Sequence, residues 1–447
     1  MGVSVERKSL FEGVTAYHWL VLVIASCGWL FDCMDQRIFI LTREPALKNL
    51  LARHGLPLDN VFSYGGFATM WMMFGWGTGG IIFGVMSDKW GRVKTMVVTL
   101  FLYSGFTGLS AFATSWWDYM VYRFLVGLGV GGMFGAATAL VAESVPSHVR
   151  ALALGSLQTL SACGNIIGSQ VCLHWKPGLM MTVLGSEIAG WRVVYCIGII
   201  PALLVVPIIM TLREPEPWRR AKEAAARGET QKQVGTLKDL FRDPRWRRNS
   251  IVGLILGVSG MIGLWGIGFY SPELVSTALK GLPQKAIDTS RAWGTTWQDV
   301  GALLGMFCAT LLATYVGRRL AFLCSYILGL CATVFVFYSL RSAGDVNWML
   351  FVLGFSTLTV FGCYSIYFPE IFPTRLRGTG IGFCYNVGRY ITAPGAFLMP
   401  YLVNWLRDMK VAEPFRAAAI CMSVVYIVGM VALLWARETK DQVLPED

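Results

Sequence analysis

The sequence predicts an all-α membrane protein in which twelve transmembrane helices form two pseudo-symmetric six-helix bundles. Three observations lead to this fold class. The 447 residues are 55% hydrophobic and 15% charged, whereas soluble globular proteins carry about 25% charged residues. The apolar residues form runs of about 20 residues, without the strict alternation that marks a transmembrane β-barrel. Finally, one pattern of residues occurs twice in the chain.

The apolar runs give the order of the helices. Each run is about as long as a helix needs to cross the bilayer, and the twelve runs are 17–41, 62–86, 95–113, 118–140, 151–173, 191–212, 249–270, 296–316, 320–340, 347–368, 378–401 and 414–436. The polar segment 213–248 separates the sixth run from the seventh. We therefore expect an N-terminal bundle in 1–212, a linker in 213–248 and a C-terminal bundle in 249–447.

The repeat supports two equivalent halves. Glu143-Ser-Val-Pro146, followed by Arg150, matches Glu370-Ile-Phe-Pro373, followed by Arg377, 227 residues later. Gly91-Arg92 likewise matches Gly317-Arg318 after 226 residues. Such repeats are typical of secondary transporters, whose substrate site lies between the repeats near the middle of the bilayer.

The charge distribution predicts the orientation. The net charge is +11, and Lys and Arg crowd the short loops 89–94 and 318–319 and the linker. Because cytoplasmic loops are the basic ones, we expect a multi-pass protein of the cell (inner or plasma) membrane with both termini and the linker in the cytoplasm. In a membrane protein this charge does not indicate a nucleic-acid partner. The scattered histidines and the absence of CxxC pairs predict no metal site.

The turn after the second run identifies a family. Gly84-Val-Met-Ser-Asp88-Lys-Trp-Gly91-Arg92-Val-Lys94 strongly resembles the signature loop of the major facilitator superfamily, G-x-x-x-D-x-x-G-R-x-K/R. The resemblance implies that Asp88 braces a helix N-terminus, and that a cytoplasmic gate is formed by Gly84, Asp88, Gly91, Arg92, Glu143, Arg150, Glu370 and Arg377. Thr314 stands where the second copy should have an acid, so we expect a one-sided latch. The alternative is an ordinary charged turn.

Asp32 and Asp35 lie three residues apart in the first helix and therefore share a face. Asp35 and Arg123 lie about 9 Å and 7.5 Å inside the outer ends of their helices, so we expect them to form an ion pair. D-x-x-D at this place resembles the aromatic-acid:proton symporter branch, and the resemblance implies that the acids carry protons. Alternatively, both acids only balance Arg37 and Arg123, and Arg123 itself is structural.

Arg389 lies about 17 Å into the eleventh helix, with Tyr385 and Asn386 one turn away on the same face. Because Arg binds carboxylates bidentately, we expect Arg389 to anchor a carboxylate. The alternative is an internal pair between Arg389 and Asp32. Gln158, Asn165, Trp265 and Tyr270 are further candidates for the substrate cavity, with packing as their alternative role. Asp299 lies one turn into the eighth helix and faces either the cavity or the membrane–water interface.

Two tags narrow the branch. Arg213-Glu-Pro-Glu-Pro and Arg437-Glu-Thr-Lys440 resemble tags of the sugar, organic-ion and aromatic-acid porters. We therefore expect a transporter rather than an enzyme. We expect this transporter to import a small organic anion, a carboxylate, together with protons. No cofactor is implied, because the chain has no phosphate-binding loop, and the proton gradient supplies the energy. A neutral sugar or polyol symporter and a transport-dead nutrient receptor remain open, and we expect a monomer in the lipid bilayer.

Overall fold

The computed structural model describes residues 12–58, 61–175, 177–183, 186–227 and 235–445. The first five membrane-crossing stretches are single helices: α1 (Ala16–Arg53), α2 (Val61–Trp90), α3 (Arg92–Ser110), α4 (Trp116–Ser144) and α5 (Ser147–Trp175). Two antiparallel strands, β1 (Met180–Val183) and β2 (Ser186–Ala189), follow α5. The sixth stretch is broken into α6 (Gly190–Ile197), a 3-10 turn and α7 (Val205–Thr211).

The linker contains two short helices, α8 (Glu216–Ala226) and α9 (Leu237–Arg242). The seventh stretch comprises α10 (Pro244–Met261), a π-helical segment, a 3-10 turn and α11 (Ser271–Ala278). The remaining helices are α12 (Gln284–Tyr315), α13 (Arg318–Ser339), α14 (Ala343–Glu370), α15 (Arg377–Gly382), α16 (Gly388–Asp408), α17 (Pro414–Met422) and α18 (Val425–Ala432). A second π-helical segment, Phe383–Val387, joins α15 to α16 within the eleventh stretch.

Ten helical segments within the described ranges are long and apolar enough to cross a membrane. The other two predicted runs, in α2 and in α15–α16, are also helical and carry many glycines. These two stretches meet where the halves touch: a Cβ on Gly382 would lie 2.3 Å from the carbonyl oxygen of Gly80, and one on Gly84 would lie 2.7 Å from that of Gly378. Only glycine permits this close approach of two backbones.

Several helix ends differ from the predicted apolar runs; the largest differences are the end of α1 and the start of α12, which begins at Gln284 rather than at 296. Helix α1 continues to Arg53 rather than ending near residue 41, and its added turns bury Leu47, Leu50 and Leu51. Polar residues interrupt the apolar run there, but the leucines keep a helical spacing, so the helix continues. Helix α10 begins at Pro244, five residues before the predicted run, because the Asp243 side chain caps it by accepting a hydrogen bond from the N–H of Arg245 at 2.9 Å.

Helix pairs within each half build most of the core. Helices α1 and α5, α2 and α4, and α12 and α14 pack along their lengths. The contact between α2 and α4 depends on glycine, since a Cβ on Gly131 would lie 2.1 Å from the carbonyl oxygen of Trp76. Across the two halves, α5 packs against α12 and α2 against α15. Residues near the middle of these helices therefore lie at the interface between the halves.

Candidate functional site

The loop between α2 and α3 forms a network of buried charges. Gly91 has a φ of +125°, a conformation that favours glycine, and it turns the chain so that Arg92 begins α3. Arg92 donates through Nε and Nη2 to the two carboxylate oxygens of Glu143, at 3.0 and 2.9 Å. Its Nη1 lies 2.9 Å from Asp88 Oδ1. The Glu214 carboxylate accepts the backbone N–H groups of Arg92 and Val93 at 2.6 and 3.0 Å, which caps α3.

The same acids reach across to the C-terminal half. Asp88 accepts hydrogen bonds from the N–H groups of Gly378 and Thr379 at 3.0 and 2.8 Å, and from the Thr379 hydroxyl at 2.7 Å. These groups lie at the N-terminus of α15, where backbone donors are free and negative charge is favourable. Arg377 also donates to Glu143. We call the end of the molecule that holds these contacts the latch end; there the two halves are joined and the charged groups are buried.

The equivalent loop of the C-terminal half, between α12 and α13, repeats the contact between Arg92 and Glu143. Arg318 donates to both carboxylate oxygens of Glu370, at 3.0 and 2.8 Å. The other sequence candidate, Arg150, lies within electrostatic range of Glu370 and Glu143. Its buried Nε has no hydrogen-bond partner within the described part of the chain. The eight predicted gate residues therefore lie at one end, but Arg150 is bound less firmly than Arg377.

The linker also contacts the latch end, which the sequence did not indicate. Trp218 of α8 is buried and donates its indole N–H to the carbonyl oxygen of Asp88 at 2.6 Å. Asp239 of α9 pairs with Arg375 at 2.8 Å. A tryptophan within an otherwise charged segment was the available signal, because such a residue usually finds apolar packing and a partner for its N–H.

Asp35 and Arg123 lie together inside the N-terminal half. Both side chains are fully buried, and their closest nitrogen–oxygen distance is 3.9 Å. Asp35 accepts a hydrogen bond from the Thr107 hydroxyl at 2.6 Å. Arg123 Nη2 donates to the Ser110 hydroxyl at 2.5 Å. The acid and the base are therefore ion-paired without a direct hydrogen bond.

Asp32 lies one turn away in α1. It is fully buried, and neither carboxylate oxygen has a hydrogen-bond partner within the described residues. Asp35 and Arg389 are the charged neighbours whose fields act on it. A buried carboxylate without partners is costly. Binding a proton would remove this cost, which makes Asp32 a candidate for protonation.

Arg389 lies where the halves meet. It is 2% exposed, and its Nη1 donates to the Tyr385 carbonyl oxygen and to Asn386 Oδ1, both at 2.7 Å. The guanidinium carbon lies 3.7 Å from the centre of the Trp76 ring and 4.6 Å from that of the Tyr385 ring. Its buried Nε has no hydrogen-bond partner, and no acid lies within salt-bridge distance in the described part of the chain.

The other cavity candidates differ in placement. Gln158 is 3% exposed and its amide approaches Met306 of the opposite half, Nε2 to Sδ, at 3.9 Å. Trp265 makes an edge contact with Trp76, with ring centres 6.3 Å apart. Asn165 is partly exposed. Tyr270 packs against Phe415. Gln158 and Trp265 thus lie near the interface between the halves, as Arg389 and Trp76 do. Tyr270 instead contacts the twelfth stretch.

One pair at this interface joins two residues outside the candidate set. Arg37 Nη2 lies 2.7 Å from Asp299 Oδ2, so the pair links the first helix of one half to α12 of the other. Asp299 therefore lies at the interface between the halves. The signal available from sequence was the charge of Arg37 inside a predicted span, since an intramembrane Arg requires a partner. Among the described residues, no group of His, Cys, Asp and Glu is placed to hold a metal ion.

The two halves, the latch at one end and the buried charged groups between them define a secondary-transporter fold. The comparisons agree. Residues 57–394 match the model of the Major Facilitator Superfamily. The sequence is 30% identical over 334 residues to the sialic acid transporter NanX of Escherichia coli, covering 73% of this chain and 74% of that protein.

Two further similarities extend this result. The cis,cis-muconate transport protein of Acinetobacter baylyi is 28% identical over 370 residues, covering 81% of this chain and 83% of that protein. The structure of the proton:xylose symporter XylE superposes with a TM-score of 0.75 at 20% identity, covering 96% of this chain and 98% of that one. The chain belongs to the Major Facilitator Superfamily. It is a multi-pass membrane transporter of small molecules and not an enzyme.

Proposed function

We propose that this transporter imports a small organic anion, a carboxylate, together with protons by alternating access. The observation that carries the proposal is Arg389. A guanidinium that is buried between the halves, without an acid in salt-bridge contact within the described residues, is poorly compensated. A substrate carboxylate supplies the missing charge and accepts two parallel hydrogen bonds.

The relatives support the substrate class. Cis,cis-muconate and sialic acid, which name two of them, are both carboxylic acids. Trp76 and Tyr385 flank Arg389 and provide flat apolar surfaces. We propose that the preferred substrate has a carboxylate at one end and a flat or apolar body beside it.

Asp32 and Asp35 are the proposed proton carriers. Both are buried beside one another in α1, and a proton neutralises a carboxyl group that otherwise carries a costly charge. Asp35 faces Arg123, and Asp32 lies in the field of Arg389. Proton binding to Asp32 thereby changes the charge around the proposed substrate anchor, which couples the two events.

The latch residues support alternating access. In the described state Asp88, Glu143 and Arg377 join the halves at the latch end, and the Arg37–Asp299 pair joins them elsewhere along the interface. We propose that the two bundles rock about the central residues and that these contacts break in turn. We also propose that the protein works as a monomer in the inner membrane, with the latch end and both termini in the cytoplasm.

The substrate proposal is tested by uptake into proteoliposomes. Carboxylates such as cis,cis-muconate, nicotinate and benzoate are compared with their neutral amides. We expect uptake of a carboxylate but not of its amide, and we expect Arg389→Gln to weaken carboxylate binding by at least about thirtyfold, since truncating one partner of a buried charge pair costs about 2–5 kcal/mol.

Arg416→Gln is the matched control. Arg416 is also buried, but it donates to the carbonyl oxygens of Phe337 and Leu340, away from the interface between the halves. If both variants weaken binding equally, the effect is on folding rather than on substrate. Equal uptake of acid and amide, or uptake of neutral sugars that ignores Arg389→Gln, contradicts the carboxylate proposal.

The proton proposal needs a separate measurement. We expect Asp35→Asn to prevent accumulation driven by a pH gradient and to leave substrate exchange across the membrane intact. Accumulation that remains unchanged in this variant removes Asp35 from the proton pathway.

A further inference from the structure

Arg123 and Asp35 are held just beyond hydrogen-bond distance. Their closest approach of 3.9 Å contrasts with 2.9 Å between Arg92 and Glu143. Asp35 Oδ2 and the Nε and Nη1 of Arg123 are buried and have no hydrogen-bond partner in the described part of the chain. A charge-assisted hydrogen bond measures about 2.7–2.9 Å, so a movement of about 1 Å would form one. The question is which neighbouring groups act on the position of the guanidinium.

Other groups hold Arg123 in this position. Its Nη2 donates to the Ser110 hydroxyl at 2.5 Å. The guanidinium carbon lies 4.7 Å from the centre of the Tyr195 ring, and 5.7 and 5.9 Å from those of Phe39 and Tyr119. Aromatic faces attract a guanidinium within about 6 Å, most strongly where water is excluded. Tyr195 is the nearest of the three rings and therefore attracts the guanidinium most strongly.

The Tyr195 ring is itself fixed. Its hydroxyl is hydrogen-bonded to those of Thr42 and Tyr119, at 2.7 and 2.6 Å. All three residues are fully buried. The hydroxyl chain thus links α1, α4 and α6 and leaves the ring little freedom to turn away from the guanidinium.

We propose that Tyr195 is a positioning residue for proton coupling, which holds Arg123 apart from Asp35 so that Asp35 exchanges its proton in the working range of the transporter. The inference rests on the proposed proton role of Asp35. A nearby Arg favours the charged form of a carboxyl group. If Arg123 came into direct contact, Asp35 would bind a proton only at lower pH.

Four titratable or charged side chains face Asp35. They are Asp32 from its own helix, Tyr103 from α3, Arg123 from α4 and Tyr195 from α6. Among these, Arg123 carries the positive charge. Its distance from Asp35 is therefore the feature through which the surroundings act on proton binding.

The test follows the carboxyl groups directly and needs no substrate. Purified protein in lipid is titrated by pH-difference infrared spectroscopy, and the Asp35 band is the one that Asp35→Asn removes. We expect Tyr195→Leu to lower the pH midpoint of this band by about one unit. We expect Tyr195→Phe, which keeps the ring, to leave the midpoint near the wild-type value. Ser110→Ala, a small change that removes the other restraint, should shift it in the direction of Tyr195→Leu.

The controls separate positioning from packing. Tyr326→Leu truncates another fully buried tyrosine, whose hydroxyl donates to the Leu256 carbonyl oxygen in the C-terminal half, and it should leave the midpoint unchanged. If Tyr195→Leu does not fold, Ser110→Ala and Tyr195→Phe decide the outcome. Unchanged midpoints in Tyr195→Leu and Ser110→Ala, or an equal shift in Tyr326→Leu, overturn the inference, as does the absence of any Asp35 band. Expected shifts in a protein that takes up no carboxylate would support it and count against the proposed substrate.

Discussion

The loops that precede α3 and α13 occupy equivalent places in the two halves, and their inner contacts match. Arg92 donates through Nε and Nη2 to Glu143, and Arg318 does the same to Glu370. Nη1 of each Arg donates to a backbone carbonyl oxygen five residues earlier, that of Ser87 or of Ala313. Each half thus fastens its own loop to its own helices in the same way.

The loops differ in their contacts with the opposite half. Asp88 accepts three hydrogen bonds from the start of α15, whereas the hydroxyl of Thr314, its counterpart, donates to Thr310 in its own helix at 2.7 Å. Glu143 is shared with Arg377 of the other half, whereas Glu370 accepts a further hydrogen bond from Thr439 in its own half.

Helix starts explain why the latch is one-sided. Helix α15 begins at Arg377, so the N–H groups of Gly378 and Thr379 belong to its first turn and are free to bind Asp88. Helix α5 begins at Ser147, so the N–H groups at the equivalent positions, Ala151 and Leu152, are already used within the helix. An acid in the second loop would therefore not find these two N–H groups free. The missing acid and the earlier helix start are therefore consistent with each other.

The largest expected effect comes from the shared acid. Removing one partner of a buried ion pair costs about 3–5 kcal/mol, so Glu143→Gln and Glu370→Gln should both lower the free energy of unfolding by about that much. Of the two variants, Glu143→Gln should also separate the halves, because within the described residues Glu143 accepts a hydrogen bond from Arg377 of the opposite half, whereas Glu370 accepts its hydrogen bonds from Arg318 and Thr439 of its own half. Thermal unfolding measures the first effect. Spin labels at the exposed positions Lys94 and Arg319, in a cysteine-free background, measure the second. An equal lengthening of this distance in both variants would contradict the comparison.

The sequence predicts the contacts that each loop makes within its own half, but not the helix starts that make the latch one-sided. The repeated Gly-Arg and Glu positions indicate where Arg92, Arg318, Glu143 and Glu370 lie, because a turn glycine and a helix end constrain their side chains locally. The starts of α5 and α15 could not be predicted from the sequence. Pro146-Ser147 and Pro373-Thr374 are similar dipeptides, but Ser147 begins an α-helix, whereas Thr374 begins a 3-10 turn that precedes α15.

Contacts between residues that lie far apart in the sequence could not be predicted in detail either. Depth in the bilayer predicts the pairing of Asp35 with Arg123, but depth is a one-dimensional argument that does not give the distance between the two side chains. Tyr195 and Trp76 carry no local signal for an arginine partner, because their positions are set by the packing of three or more helices. The position of Asp299 is likewise not predictable from local sequence, because its partner Arg37 lies in the opposite half, 2.7 Å away.

The second prediction tests the latch itself. Hydrogen bonds to a charged group contribute about 1.5–3 kcal/mol, so Asp88→Asn should shift the equilibrium between closed and open latch ends by about ten- to a hundredfold. Thr314→Asp should leave it unchanged, because the equivalent N–H groups are occupied. The Lys94–Arg319 distance distribution measures both. A second closed population in Thr314→Asp would mean that α5 offers donors after all.

The smallest effect concerns the two acids that cap α3 and α13. Burial raises the pKa of Glu214 above its ordinary value, against the backbone donors of α3 and Arg92. Burial also acts to raise the pKa of Glu438, but the N–H groups of Arg318, Arg319, Lys440 and Thr439 together outweigh it and the pKa lies below its ordinary value. The folded state therefore favours the protonated form of Glu214 and the charged form of Glu438.

The two caps should consequently respond to pH in opposite directions. The contribution of Glu438 is present above its unfolded pKa near 4.5 and is lost as the pH falls through the lower folded value, so Glu438→Gln should reduce Tm more at pH 7 than at pH 4. The contribution of Glu214 is present below its unfolded pKa and is lost as the pH rises through the higher folded value, so Glu214→Gln should reduce Tm less at pH 7 than at pH 4. For a chain of this size we expect differences of about 1–2 °C, measured by thermal unfolding of matched samples at the two pH values. The same pH trend in both variants would mean that the two caps are electrostatically equivalent, and that the asymmetry between the halves is confined to Asp88 and Arg377.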